Sequence, residues 1–204
     1  MSGKQISATG KYKIFPIIGA GIMTVGLLLM STLTEDTSFW ILSGFAVLVG
    51  AGLGLSMQTI VIALQNSVDF ADMGVATSSN TFFRSLGGAF GTAIFGTIFS
   101  NRVAYFLEDG LTKLAATNPT AVAGFDSSQL EQLTTNTSGI ATLPEPIRET
   151  VLHGFVQTFQ LVFLAAAPIT FIGFLLAFFL KEKPLQSSAA HHAARKEAAG
   201  EAVG

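Results

Sequence analysis

The sequence contains no cysteine in its 204 residues, which excludes disulfides, thiolate chemistry and cysteine-ligated metals. Charge is scarce as well. Only 12% of the residues are Asp, Glu, Lys or Arg, against roughly a quarter in soluble domains. Eleven basic and thirteen acidic residues leave a net charge of −2, and no basic block is present that could follow a nucleic-acid backbone. No Ser-His-Asp set, metal-ligand cluster or phosphate-cradling loop occurs, so neither an enzyme nor a resident cofactor or metal is indicated. His191 and His192 are too short a group for a metal site. Asn136-Thr-Ser fits the glycosylation triplet, a pattern common by chance.

What is present is apolar. Half of the residues are hydrophobic, and they fall in four long runs. About 20 apolar residues at about 1.5 Å each cross a hydrocarbon core of about 30 Å. Inside lipid the backbone must satisfy its own hydrogen bonds, and these runs are continuous rather than alternating, so they read as helices. The expected fold is an all-α integral membrane protein with four transmembrane helices. Residues 1–13 form a cytoplasmic loop, and helices A, B and C occupy 14–33, 39–68 and 73–101. Residues 102–154 form an extracytoplasmic segment with short helices, helix D occupies 155–180, and 181–204 is a cytoplasmic tail. The first run is long enough to span and is followed by no small-residue cleavage site, so it reads as part of the mature chain.

Within 102–154, Asn118-Pro-Thr and Ala123-Gly-Phe read as turns. Ser128-Gln-Leu-Glu131 and Thr142-Leu-Pro-Glu145 have the capping-box pattern. They predict a short helix near 128–134 and a second from about 144 into helix D, with Ile147, Val151 and Leu152 on one face. Orientation follows from Lys and Arg near the helix ends. Four spans put both termini on one side, with Lys4, Lys11, Lys13, Lys181, Lys183, Arg195 and Lys196. The other side has Arg102, Lys113 and Arg148. Seven against three places both termini in the cytoplasm, and a multi-pass protein of the bacterial plasma membrane is expected.

Helix B holds Gly50 and Gly54, and helix C holds Gly87 and Gly91, each pair at the small-xxx-small spacing that allows helices to approach closely. Close packing, or bending and sliding in a conformational cycle, would each use them. Gln58 and Gln65 are seven apart and share a face. An amide in lipid needs a partner, so with Met57 and Asn66 they either bond between helices or line a polar path. Arg84 is the one charge within a span. It either snorkels to the cytoplasmic surface or faces other helices along a pathway. No span contains Asp, Glu or Lys, so the chain has no obvious group with which to couple protons alone.

The stretches Gly50-Ala-Gly-Leu-Gly-Leu-Ser-Met-Gln58, Ala63-Leu-Gln-Asn66, Gly74-Val-Ala-Thr-Ser-Ser-Asn80 and Phe82-Phe-Arg-Ser-Leu-Gly-Gly-Ala-Phe-Gly91 resemble the end of major facilitator superfamily transporters. The likeness is to the fourteen-spanner drug:proton antiporter branch of bacteria. Gly3 to Lys13 resembles the loop before the fourth-from-last span, while Asp69 stands where many members have proline. The resemblance implies that the four helices close the second half-domain, that helix B lines the central cavity, and that helix C lies between the halves. It implies as partners the lipid bilayer, the remaining helices of the transporter, a small-molecule substrate and protons. The chain then looks like a C-terminal piece, or one part of a split transporter, exporting small and often hydrophobic or cationic compounds. The other class of function is a non-transporting four-helix membrane scaffold.

Overall fold

A computed structural model describes residues 13–122 and 137–180. Among them there is no strand. The elements are α1 (Ile14–Met30), α2 (Phe39–Gln65), α3 (Met73–Thr117) and α4 (Glu145–Ala177). One 3-10 turn, Phe70–Asp72, leads into α3, and another, Thr137–Thr142, precedes α4. The helices α2, α3 and α4 are each long and apolar enough to cross a membrane, and α1 is a shorter apolar helix of 17 residues. The protein is an all-α, multi-pass membrane protein.

The helix ends follow from local chemistry. At the end of α1, the Ser31 and Thr32 hydroxyls donate to the carbonyls of Leu28 and Leu29 at 2.7 and 2.8 Å, satisfying acceptors that the helix leaves open. The Ile41 and Leu42 amides then bond to the Ser38 carbonyl and start α2. Proline ends α3: Asn118 precedes Pro119, whose ring disfavours the helical conformation before it. The Asn118-Pro-Thr turn forms, closed by the Ala121 amide on the Asn118 carbonyl at 3.1 Å. Pro168 lies inside α4 and donates no backbone hydrogen bond there.

Three local expectations need correction. The third helix does not stop at Asn101 but continues to Thr117. The polar stretch 102–117, expected within a segment of short helices, is an amphipathic continuation of α3: Val103, Leu107, Leu111 and Leu114 recur at helical spacing and pack together in one core. Thr142 does not cap α4. Its hydroxyl donates to the Gly139 carbonyl at 2.8 Å, and the first helical amides, Ile147 and Arg148, bond to the Pro144 carbonyl instead. Leu152 leaves the face of Ile147 and Val151 and is exposed. The turn at Ala123, the Ser128 capping box and the helix near 128–134 lie outside the described residues.

The described residues divide into two compact units, 13–23, 50–86 and 170–180, and 24–49, 87–122 and 137–169. In the first, α1 meets α2 at Gly19 and Gly52. A Cβ on Gly52 would stand 2.5 Å from the Gly19 carbonyl oxygen and 2.8 Å from the Met23 nitrogen, so only glycine permits this approach. Nearby, Ala63 is buried against Phe15, Ile62 and Leu180. In the second unit the core is Val103, Leu107, Ile147, Val151 and Phe155. Gly154 sits against Leu107, where a Cβ would meet the leucine side chain at 2.9 Å. His153 on α4 pairs with Glu35 in the α1–α2 turn, and the Gln160 amide donates to the Leu33 carbonyl.

Candidate functional site

At about 100° per residue, Gly50, Gly54, Met57, Gln58 and Gln65 fall within an arc of roughly 100° on α2. Gly52, Thr59 and Ala63, the buried residues of this helix, lie on the opposite side. The structure therefore separates α2 into a packed face and a bare one, and the sequence candidates gather on the bare one. Met57, Gln58 and Gln65 are exposed, and neither glutamine side chain bonds to a described residue. Gln58 and Gln65 are two turns apart on that face, about 10 Å along the axis.

Asn66 departs from this group. It is half-buried, lies beyond the last helical residue, and its backbone amide bonds to the Ile62 carbonyl at 3.0 Å. Its position around the helix brings it nearer to the packed face than to Gln58 and Gln65.

On α3, Arg84, Gly88 and Gly91 share a face, with Gly87 at its edge. Every residue from Thr81 to Phe90 is exposed, and none of the most apolar window of this helix is buried. Arg84 makes no hydrogen bond or ion pair with a described residue.

The two glycine pairs pack against nothing described. A Cβ on Gly50, Gly54, Gly87 or Gly91 would have no heavy atom within 4 Å. The close approach within this chain uses Gly19 and Gly52 instead, and Gly26 lies against Val49, whose side chain a Cβ would meet at 2.8 Å. Sequence reasoning missed these positions. Their signal was the seven-residue spacing of Gly19 and Gly26 in the first apolar run, which puts both on one side of α1.

Ser56 was missed too. Its hydroxyl is buried, has no hydrogen-bond partner among the described residues, and borders a cavity of about 360 Å³ whose other walls include Pro16, Met23, Ile60 and Thr170. Among the described residues, no group of His, Asp and Glu could hold a metal ion.

No family model and no solved structure matches the chain. Three relatives are nonetheless consistent with one another. An uncharacterized MFS-type transporter of Mycobacterium tuberculosis is 39% identical over 184 residues, covering 90% of this chain and 25% of the relative. The multidrug transporter protein MdtP of Bacillus subtilis is 29% identical, over 92% of this chain and 37% of its own length. A tetracycline resistance determinant of Streptomyces rimosus is 31% identical, over 89% of this chain and 56% of its own length. The chain thus spans about a quarter to just over half of the length of these relatives. Across nearly all of its own length the chain is similar to MFS-type transporters and efflux pumps, and it matches a C-terminal part of an MFS drug efflux transporter.

Proposed function

We propose that this chain is the C-terminal part of a fourteen-span efflux transporter, and that it supplies one wall of the path by which small, often hydrophobic or cationic compounds leave the cell against proton entry. The observation that carries this reading is the bare face of α2. Two amides, an adaptable methionine and two glycines are expensive or useless against lipid tails, and they are useful against a wet cavity and moving neighbours. That a relative is named a multidrug transporter and another a tetracycline resistance determinant supports the same reading.

In this reading Gln58 and Gln65 offer donors and acceptors to substrate or water, and Met57 fits varied apolar groups between them. Arg84 holds a fixed positive charge on α3. The four apolar runs contain no Asp or Glu, so the proton-carrying acids sit on helices that this chain does not supply. The partners of Gly50, Gly54, Gly87 and Gly91 are also helices outside this chain, and small residues there allow the packed elements to slide as access alternates.

Two outcomes test this. Expressed alone, the 204-residue chain confers no resistance to toxic cations and is degraded or associates non-natively, because bare helix faces are left without partners. Expressed together with the preceding spans of its transporter, it restores export. Efflux by the purified chain in liposomes would refute the proposal.

The orientation is tested separately. With both termini in the cytoplasm, Ser67 in the α2–α3 turn faces inward and Thr142 before α4 faces outward. Both are exposed. A cysteine at position 142 is expected to react with an impermeant thiol reagent in intact cells, and one at position 67 only after permeabilisation. The chain has no cysteine of its own to confuse the measurement. Labelling of Ser67→Cys from outside would reverse the orientation.

A further inference from the structure

We propose that the cleft between α3 and α4 at Arg102 binds an anionic phospholipid, its phosphate on Arg102 and one acyl chain along the apolar floor. The cleft lies within the second unit and has a volume of about 510 Å³. On α3 it is lined by Thr97, Ile98, Asn101, Arg102 and Tyr105, and on α4 by Leu161 and Ala165.

These residues are sorted by depth. Arg102 is the first charge after the apolar run that ends at Asn101, so it marks where α3 leaves the hydrocarbon. Ile98 lies one turn deeper on α3. Leu161 and Ala165 lie within the apolar part of α4. Arg102 and Tyr105 sit above them at the headgroup level, where a tyrosine presents an apolar ring and a polar tip. One end of the cleft is therefore cationic and the other is hydrocarbon, and the short side chain of Ala165 leaves room in the floor.

The cationic end is unsatisfied. Arg102 and Tyr105 are exposed, and neither the guanidinium nor the phenol bonds to another described residue. The cleft is lined by one cation and no carboxylate. The nearest acid on the same face of α3, Asp109, is already held by Lys113 at 2.6 Å. That hydrogen bond raises the Lys113 pKa above the ordinary lysine value. By contrast the other outward arginine, Arg148, is paired with Glu145 at 2.6 Å.

A guanidinium presents its N–H groups in a planar fork that matches two phosphate oxygens. A soluble phosphate would use that fork but would leave the floor of Ile98, Leu161 and Ala165 empty. A phospholipid fills both ends, its acyl chain packing along the floor by van der Waals contact. The inference does not depend on the transport reading.

The test is photolabelling of the whole transporter that contains this chain, in phosphatidylcholine vesicles with a trace of a probe that carries a diazirine in the acyl chain of either phosphatidylglycerol or diacylglycerol, which lacks the phosphate. The phosphatidylglycerol probe is expected to label the segments around Ile98 and Leu161, about tenfold more than the diacylglycerol probe, the ratio expected for one charge-assisted contact of about 1.5 kcal/mol. Arg102→Gln should remove this preference, whereas Arg148→Gln should leave it intact. Equal labelling by the two lipids, or an undiminished preference in Arg102→Gln, would overturn the proposal. So would full competition by millimolar inorganic phosphate, which would make the site one for a soluble anion. The wild-type comparison of the two lipids decides the matter even where a variant fails to insert.

Discussion

Gly52→Val is expected to separate α1 from α2. The added Cβ would lie 2.5 Å from the Gly19 carbonyl oxygen and 2.8 Å from the Met23 nitrogen. Both are backbone atoms, so no rotamer change relieves the clash, and the helices must move apart. In water an apolar interface pulls helices together, but lipid tails are as apolar as side chains. Contact between spans therefore rests on van der Waals packing and hydrogen bonds, which fade steeply with distance. Overpacking of this kind costs about 1–3 kcal/mol in a rigid interior, and the lost contacts between Gly19 and Gly52 add to it. The measurement is thermal aggregation of the transporter extracted from membranes, with the variant losing its folded fraction at a clearly lower temperature. Gly54→Val is the matched control. It has the same helix and the same residue change, but a Cβ there meets nothing within 4 Å, so contacts inside this chain survive. In the whole transporter Gly54→Val is expected to spare insertion and reduce export, if its partner is, as proposed, a helix beyond this chain. Equal thermal stability of Gly52→Val and wild type would show that the Gly19–Gly52 contact does not hold α1 to α2.

The contrast between Gly52 and Gly54 also shows what the sequence could and could not say. Long apolar runs announce helices in lipid because the backbone has no alternative there, and α1, α2 and α3 begin where charge or turn residues first give way to them. The resemblance to the end of major facilitator superfamily transporters lies across residues 50–91, and the relatives are of that kind. Spacing alone could not assign partners. Gly50/Gly54 and Gly52 are equally small and only two residues apart, yet two of them face open space and one faces α1. That difference is one of rotation about the helix axis, which depends on a neighbour and not on the run itself. Polarity misled in another place: the stretch 102–117 carries charges yet continues α3, because its leucines and Val103 repeat at helical spacing and find Ile147, Val151 and Phe155 across from them. Pairs such as His153 with Glu35 join residues 118 apart in the chain, and no local pattern reports them.

Arg84→Lys, in the full-length transporter, is expected to lower export strongly while leaving membrane insertion intact. A guanidinium at the centre of a span costs roughly 2.5–3.5 kcal/mol on the insertion scale. Two roles would offset that cost, and they respond differently to lysine. A snorkelling anchor needs only a long apolar stem and a charge that reaches the headgroups, and lysine supplies both. A contact to carbonyls or amides across a helix interface uses several N–H groups fixed in one plane, and an ammonium cannot reproduce the fork. Around Arg84, α3 is exposed on every side, and the same face carries Gly88 and Gly91 with nothing packed on them. Glycines clear a helix surface for a close neighbour, so a second helix brought against this face would lie within reach of the guanidinium. That arrangement favours the interface contact over the anchor. Loss of two charge-assisted hydrogen bonds of about 1.5 kcal/mol each corresponds to a decrease of roughly a hundredfold in the population of the contact. Export rate is read as drug accumulation in cells, normalised to the amount of transporter recovered in the membrane. Arg84→Gln serves as the reference for loss of the charge itself, and the lysine variant should resemble it more than the wild type. If Arg84→Lys exports at the wild-type rate, Arg84 is an anchor at the cytoplasmic surface and has no part in the path.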